Sequence, residues 1–469
     1  MWLRRTLVVL LVGLVMAPGR VLAHGAGGRY ELAIPQWLFL VGGGATVAVS
    51  FLVVSLVTGS DDRAFSYRSR PLSATPLRVL HAPALVAAVR TLAVVLLVLG
   101  TAAGAFGPRS FDENLLTNLV WVGWWIGYTF SVILVGNTWP VLNPWRTVYL
   151  WVVPGAEHPP RRVYPQTLGH WPAVAVFFVF AWLELIAPIS QSPRWMAALA
   201  VAYSVYLWVG MALFGVDNWL TAADPFTLLY DYLGRFAPLS IRGDGELRSY
   251  GVGLVDRHDA LWRPGALLLL VMVLYTVTFD GFLGTPEWAA IARSVPPLPV
   301  PYAMSTLLMV AGLLFFYESY GLVAWVMTIL VGSADDEGYL ARRFALSLLP
   351  VALAYQLSHF FTYLLTQGQY LLLALADPFG RGWVPAGVAF DPSGTIPFLS
   401  VGAVWQLQVG VIVLGHVIAV WVAHHVALDV FDGRWQAIRS QLPMTGAMVI
   451  YTVVGLLILT RTTVDPPLP

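Results

Sequence analysis

Acids and histidines fall inside stretches that are otherwise apolar, among them Glu184, Asp280, Glu318, His359 and His416. An ionisable group in a membrane helix is costly and usually faces the bundle interior or water. Glu184, Asp280 and His359 have the composition of a hard or borderline metal site, two carboxylates and an imidazole without sulfur. Zinc, manganese or iron would accept it. A bound metal there could generate hydroxide at neutral pH. The competing reading is a set of structural hydrogen bonds between helices. Glu318 and His416 suit a proton or ion pathway, or a second site, and Tyr317 or Tyr320 could instead hold Glu318 as a structural acid.

Other chemistry is excluded by composition. All 26 basic residues are Arg, and there is neither Lys nor Cys. Disulfides, thiolate nucleophiles, Cys-ligated zinc, Schiff-base lysines and Walker A lysines are therefore absent. A net charge of +1 with no basic face argues against a nucleic-acid partner. The chain is 58% hydrophobic and 11% charged, against about 25% charged in soluble domains. The lipid bilayer is the expected surrounding.

The elements that must position these groups are spanning helices. Ten apolar segments, near 36–58, 83–106, 115–136, 171–188, 196–214, 264–283, 302–331, 343–367, 399–426 and 443–460, approach the ~20 residues a span needs. At about 1.5 Å per residue, Glu184, Asp280 and His359 reach a similar height on three helices. Glu318 and His416 fall deeper, with His424, His425 and Asp217 near the opposite edge. The fold class is thus all-α, a polytopic bundle of about ten helices forming one membrane domain, 24–469.

Met1 to Arg5 is a short basic region, followed by the apolar run Thr6 to Ala17 and Val21-Leu22-Ala23. This reads as a signal peptide over 1–23, cleaved after Ala23, the alternative being an uncleaved first helix. Cleavage would leave His24 at the mature N-terminus, where its amine and imidazole form a chelate suited to copper. With that terminus outside, sixteen arginines fall on the inner connections and six on the outer segments, as the positive-inside rule requires. The expected location is the plasma membrane, with both mature termini extracytoplasmic.

A cytoplasmic connection spans about 215–263, with a short interfacial helix expected over Phe226 to Phe236. An outer connection spans about 368–398, where Tyr370 to Ala376 reads as a re-entrant or interfacial segment. Trp121, Trp124, Trp125, Trp139, Trp145, Trp151 and Trp171 lie near helix ends and read mainly as an interfacial belt. Asn143-Pro144-Trp145 and Asp377-Pro378-Phe379 echo each other after the third and eighth helices. An inverted repeat would produce that echo, but Asn/Asp-Pro ends many helices.

Several blocks carry a further likeness: Ala23-His24-Gly25 with Gly28-Arg29, Pro35-x-Trp37-Leu38-Phe39, and Asn143-Pro144-Trp145-Arg146. To these add His170-Trp171-Pro172, Phe180-Ala181-Trp182-x-Glu184, and Phe279-Asp280-Gly281-Phe282 with Pro286-x-Trp288. Together they resemble a family of polytopic bacterial and archaeal membrane proteins carrying the name fenitrothion hydrolase. The resemblance implies hydrolysis of an organophosphate triester to a nitrophenol and a dialkyl phosphorothioate. The chain has no H-x-H pair, so metal ligands would have to converge from different helices.

Three functions remain in view. One is a metal-assisted hydrolase with an outer-leaflet pocket for an apolar ester, with Glu184, Asp280 and His359 as catalytic or metal-binding groups. The second is a transporter of a metal ion, proton or small solute. The third is a subunit or assembly factor of a membrane metalloenzyme, with copper at His24.

Overall fold

A computed structural model describes residues 35–57, 69–72, 82–153, 160–240, 245–256, 258–294, 302–332, 337–383 and 400–461. The expected signal peptide and His24 lie outside these residues. The first helices are α1 (Gln36–Val57), α2 (Pro83–Phe106), α3 (Leu115–Asn118), a π-helix (Leu119–Tyr128), α4 (Thr129–Leu134), α5 (Trp139–Leu142), α6 (Pro144–Val152) and α7 (Trp171–Leu185). The middle holds α8 (Pro193–Phe214), α9 (Val216–Ala223), α10 (Pro225–Phe236), α11 (Ala266–Leu283) and α12 (Pro286–Ser294). The last are α13 (Ala303–Val331), α14 (Glu337–Phe344), α15 (Leu349–Ala376), α16 (Val401–Val430) and α17 (Arg434–Arg461). Among the described residues, nine helices are long and apolar enough to cross a membrane. The fold is an all-α, polytopic bundle.

The other expected span, 115–136, is built as α3, the π-helix and α4 in succession. Its buried residues include Trp121, Val122, Trp125 and Ile126. A π-helix widens the turn and re-aims side chains, a distortion frequent at functional sites.

Local chemistry explains many helix starts. Pro occupies the first turn of α2, α6, α8, α10 and α15, where its missing N–H costs nothing. Asn114, Asn143, Asp224 and Ser400 accept backbone N–H bonds as N-caps of α3, α6, α10 and α16.

Contacts between connections show which of them share a face. Arg434 donates to the Ser55 carbonyl at 3.0 Å. Arg70–Pro71 (β1) pairs antiparallel with Glu246–Leu247 (β3), which also pairs with Leu239–Ser240 (β2). Arg146 lies 3.4 Å from Asp217. On the opposite face Gln36 bonds Thr460 at 2.8 Å and Arg461 lies 3.5 Å from Glu287. The connections marked by arginine in the sequence therefore lie together.

Three expectations change. The helix expected at Phe226 to Phe236 exists, but Phe226, Tyr230, Tyr232 and Leu233 are buried in the protein, so it is not a surface helix. The apolar run Tyr370 to Ala376 continues α15 instead of re-entering. Trp121, Trp125, Trp139 and Trp145 are buried, leaving only Trp151 and Trp171 of the proposed belt well exposed. The buried rings pack on one another, with Trp124 4.2 Å from Phe226 and 5.8 Å from Trp145, centre to centre. That mutual burial supplies what an interface would otherwise supply.

Candidate functional site

Asp280 on α11 and His359 on α15 meet: Asp280 Oδ2 lies 2.7 Å from His359 Nε2. Both side chains are partly exposed, at 26% and 32%. Glu184 on α7 lies within electrostatic range of Asp280 and accepts a hydrogen bond from the Trp125 indole of the π-helix. Tyr363, one turn beyond His359, feels Glu184, Asp280 and Asp112. Two of the three residues singled out by height, Asp280 and His359, are therefore in direct contact, and Glu184 sits on α7, which packs against α11. Sequence reasoning missed Trp125 and Tyr363. The signal that could have found Tyr363 is its four-residue spacing from His359, which places both on one helix face.

The remaining candidates are elsewhere. Glu318 is exposed on α13, in the stripe Leu314, Phe315, Leu322 and Trp325 that faces away from the bundle. Tyr320 donates to the Ala341 carbonyl at 2.7 Å, not to Glu318. His416 is fully buried on α16. Its Nδ1 lies 2.8 Å from the Ile412 carbonyl, which can only accept, so Nδ1 carries the proton and Nε2 is a bare acceptor. That Nε2 has no partner. His24 lies outside the described residues. Among the described residues no group of three or more His, Asp or Glu is placed to hold a metal ion.

One small cavity adjoins His359 and a second lies between the π-helix, α10, α11 and α15. The first, of about 30 Å³, is lined by Thr278, Gly281, Tyr355, Ser358, His359 and Gly455 among others. The second, of about 20 Å³, is lined by Trp125, Thr129, Thr276 and Gln356 with apolar neighbours. Each is large enough for water, which needs roughly 10–15 Å³ of such volume.

A different buried acid shows the contrast. Asp224 caps α10, accepting from the Phe226 N–H at 3.1 Å and from the Tyr203 and Thr227 hydroxyls at 2.5 Å each. Burial pushes its carboxyl above the usual range, and these donors oppose that push. Asp224-Pro225-Phe226 is the structural counterpart of Asn143-Pro144-Trp145, because both cap a short helix beside Trp124. Asp377, the partner expected from sequence, instead binds the backbone N–H groups of Arg381, Gly382 and Trp383 in a turn.

Comparison of the chain with models of known protein families, with curated proteins and with solved structures finds no match.

Proposed function

We propose that this multi-pass membrane protein moves protons, alone or coupled to a small solute, and that Asp280 and His359 are the exchanging pair. The observation that carries this reading is the 2.7 Å contact between a carboxylate and an imidazole on two spanning helices, with Glu184 in range. Desolvating such a pair costs several kcal/mol per ion, and apolar side chains of similar volume would often be no worse for stability. Histidine changes charge near neutral pH, and a carboxylate partner tunes where it does so. An acid and an imidazole in contact, with a second acid on a neighbouring packed helix, can accept a proton from water and pass it on.

The resemblance to fenitrothion hydrolases supports a second use of the same pair, as a general base that activates water. The cavity beside His359 weighs against it, being sized for water and not for an aryl triester. A metal-assisted version would need ligands beyond those that converge here.

The test uses the full chain purified into liposomes loaded with a pH-sensitive dye. Under an imposed potential, the lumen of protein-containing vesicles is expected to change pH faster than that of empty ones. Asp280→Asn and His359→Ala are expected to abolish the difference. Wild-type vesicles that match empty ones, or variants that match wild type, overturn the proposal. Release of nitrophenol from a triester by wild type but not by Asp280→Asn would favour the hydrolase instead.

A further inference from the structure

We infer that the cavity beside His359 is a water site, and that this water, Tyr355 and His416 form the next links of a hydrogen-bonded chain leading from the Asp280–His359 pair toward the bundle centre. The inference rests on the proton-moving reading for its purpose, but not for its geometry.

The geometry begins with two complementary orphans. The Tyr355 hydroxyl is buried and has no hydrogen-bond partner among the described residues. His416 Nε2 is buried and has none either. The first is a donor lacking an acceptor, and the second is an acceptor lacking a donor. Their rings lie 6.1 Å apart, centre to centre, and Tyr451 stands 5.5 Å from Tyr355 and 6.3 Å from His416. Leaving a buried polar group unpaired is costly. Two such groups side by side therefore mark a place where a small hydrogen-bonding molecule or a slight ring rotation completes the pairing.

The cavity supplies the room. At about 30 Å³ it holds one or two waters, and Tyr355 and His359 both line it. Thr278 and Ser358 also line it; Thr278 bonds Tyr451, and Ser358 donates to the Gln408 carbonyl at 2.9 Å. A water needs two to four polar partners, and Thr278, Tyr355, Ser358 and His359 are the polar residues from which this cavity can supply them. Gly455 keeps the path open, because a Cβ at that position would sit 1.3 Å from the Tyr355 hydroxyl oxygen.

The transfer balances at each link. His359, once protonated in its exchange with Asp280, gives a proton to the cavity water and returns to the neutral imidazole, while that water gives a proton to the Tyr355 oxygen. Tyr355 gives its own proton to His416 Nε2. The resulting imidazolium keeps its Nδ1–H on Ile412. Beyond it, His424 stands eight residues along α16, about 12 Å further, with its own Nε2 unpartnered and its Nδ1 3.1 Å from Gln441 Nε2.

Two measurements test this chain on the full-length protein. In dye-loaded proteoliposomes, Tyr355→Phe removes only the hydroxyl, and His416→Asn keeps a donor for Ile412 while deleting Nε2. Each is expected to slow proton flux by about ten-fold or more, with thermal unfolding in detergent little changed. Wild-type flux in both variants overturns the chain while leaving the Asp280–His359 proposal standing. An experimental structure at a resolution that shows water provides the second, flux-independent readout. Density within hydrogen-bonding distance of the Tyr355 hydroxyl is expected, and its loss in Tyr355→Phe. A dry cavity overturns the inference whatever the flux. If wild type conducts no protons, the functional proposal falls and the density alone decides the water site.

Discussion

Asp224 and Asp280 are both acids carried into an apolar bundle, and their surroundings treat them in opposite ways. Asp224 is fully buried and surrounded by donors: two hydroxyls and the first free N–H of α10. Both of its oxygens are engaged by donors of the protein itself. Asp280 is a quarter exposed, and its carboxylate meets one imidazole that can itself gain and lose a proton. Burial of an acid is therefore a poor guide to function in this protein. What separates the two is whether the neighbours are fixed donors or a group with a second protonation state. The first arrangement ends a helix, whereas the second can cycle.

The widest expected gap between the two is functional. Asp280→Asn is expected to remove proton flux, by about a hundred-fold or more, while the protein unfolds near the wild-type temperature. Asp224→Asn with an equal loss of flux and no loss of stability would erase the distinction. The converse experiment is next in size. Asp224→Ala removes a helix cap and strands two buried hydroxyls, so unfolding in detergent is expected to lose about 3 kcal/mol. A value under about 0.5 kcal/mol would mean the donors do not hold Asp224 as described.

Trp125→Phe comes third. It deletes the indole N–H that Glu184 accepts and keeps most of the ring packing against Phe177 and Phe180. Flux is expected to fall several-fold, equivalent to about 1 kcal/mol for one lost hydrogen bond. No change would place Glu184 outside the working site. The smallest effect concerns Asp377, a third acid with yet another environment. Backbone N–H bonds in its exposed turn, first that of Arg381, hold its carboxyl below the ordinary range. A lowered folded-state value means the stabilisation is present above the ordinary carboxylate range and lost as pH falls through the lowered value. Proteolysis of the 377–383 turn by an acid-active protease should rise only there, and Asp377→Asn should remove that dependence.

Legibility from sequence differed by feature. Glu184, Asp280 and His359 share a height that helix length makes readable, and of the three Asp280 and His359 touch. The same argument could not say how each helix is rotated about its axis. Glu318 shows the consequence, sitting in mid-helix yet facing away from the bundle. Trp121, Trp125, Trp139 and Trp145 looked like interfacial anchors because they lie near segment ends. They are core because the π-helix, α5, α6 and the buried α10 pack their rings against one another. Asn143-Pro144-Trp145 resembles Asp224-Pro225-Phe226 and Asp377-Pro378-Phe379 equally in sequence, and only the cap bonds of Asn143 and Asp224 separate the first pair from the turn at Asp377.

Composition and hydropathy by themselves determined that this chain is a bundle of apolar helices and which of their connections share a face. Insertion free energy sums along about 20 consecutive residues, and arginine bias acts loop by loop, so both are local quantities readable without neighbours. Only the tertiary structure decided which ionisable groups meet, because a contact between helices depends on their rotation, tilt and partners, and no short window of sequence contains those. The 2.7 Å pair of Asp280 and His359, the outward-facing Glu318 and the unpaired atoms of Tyr355 and His416 all belong to that second kind.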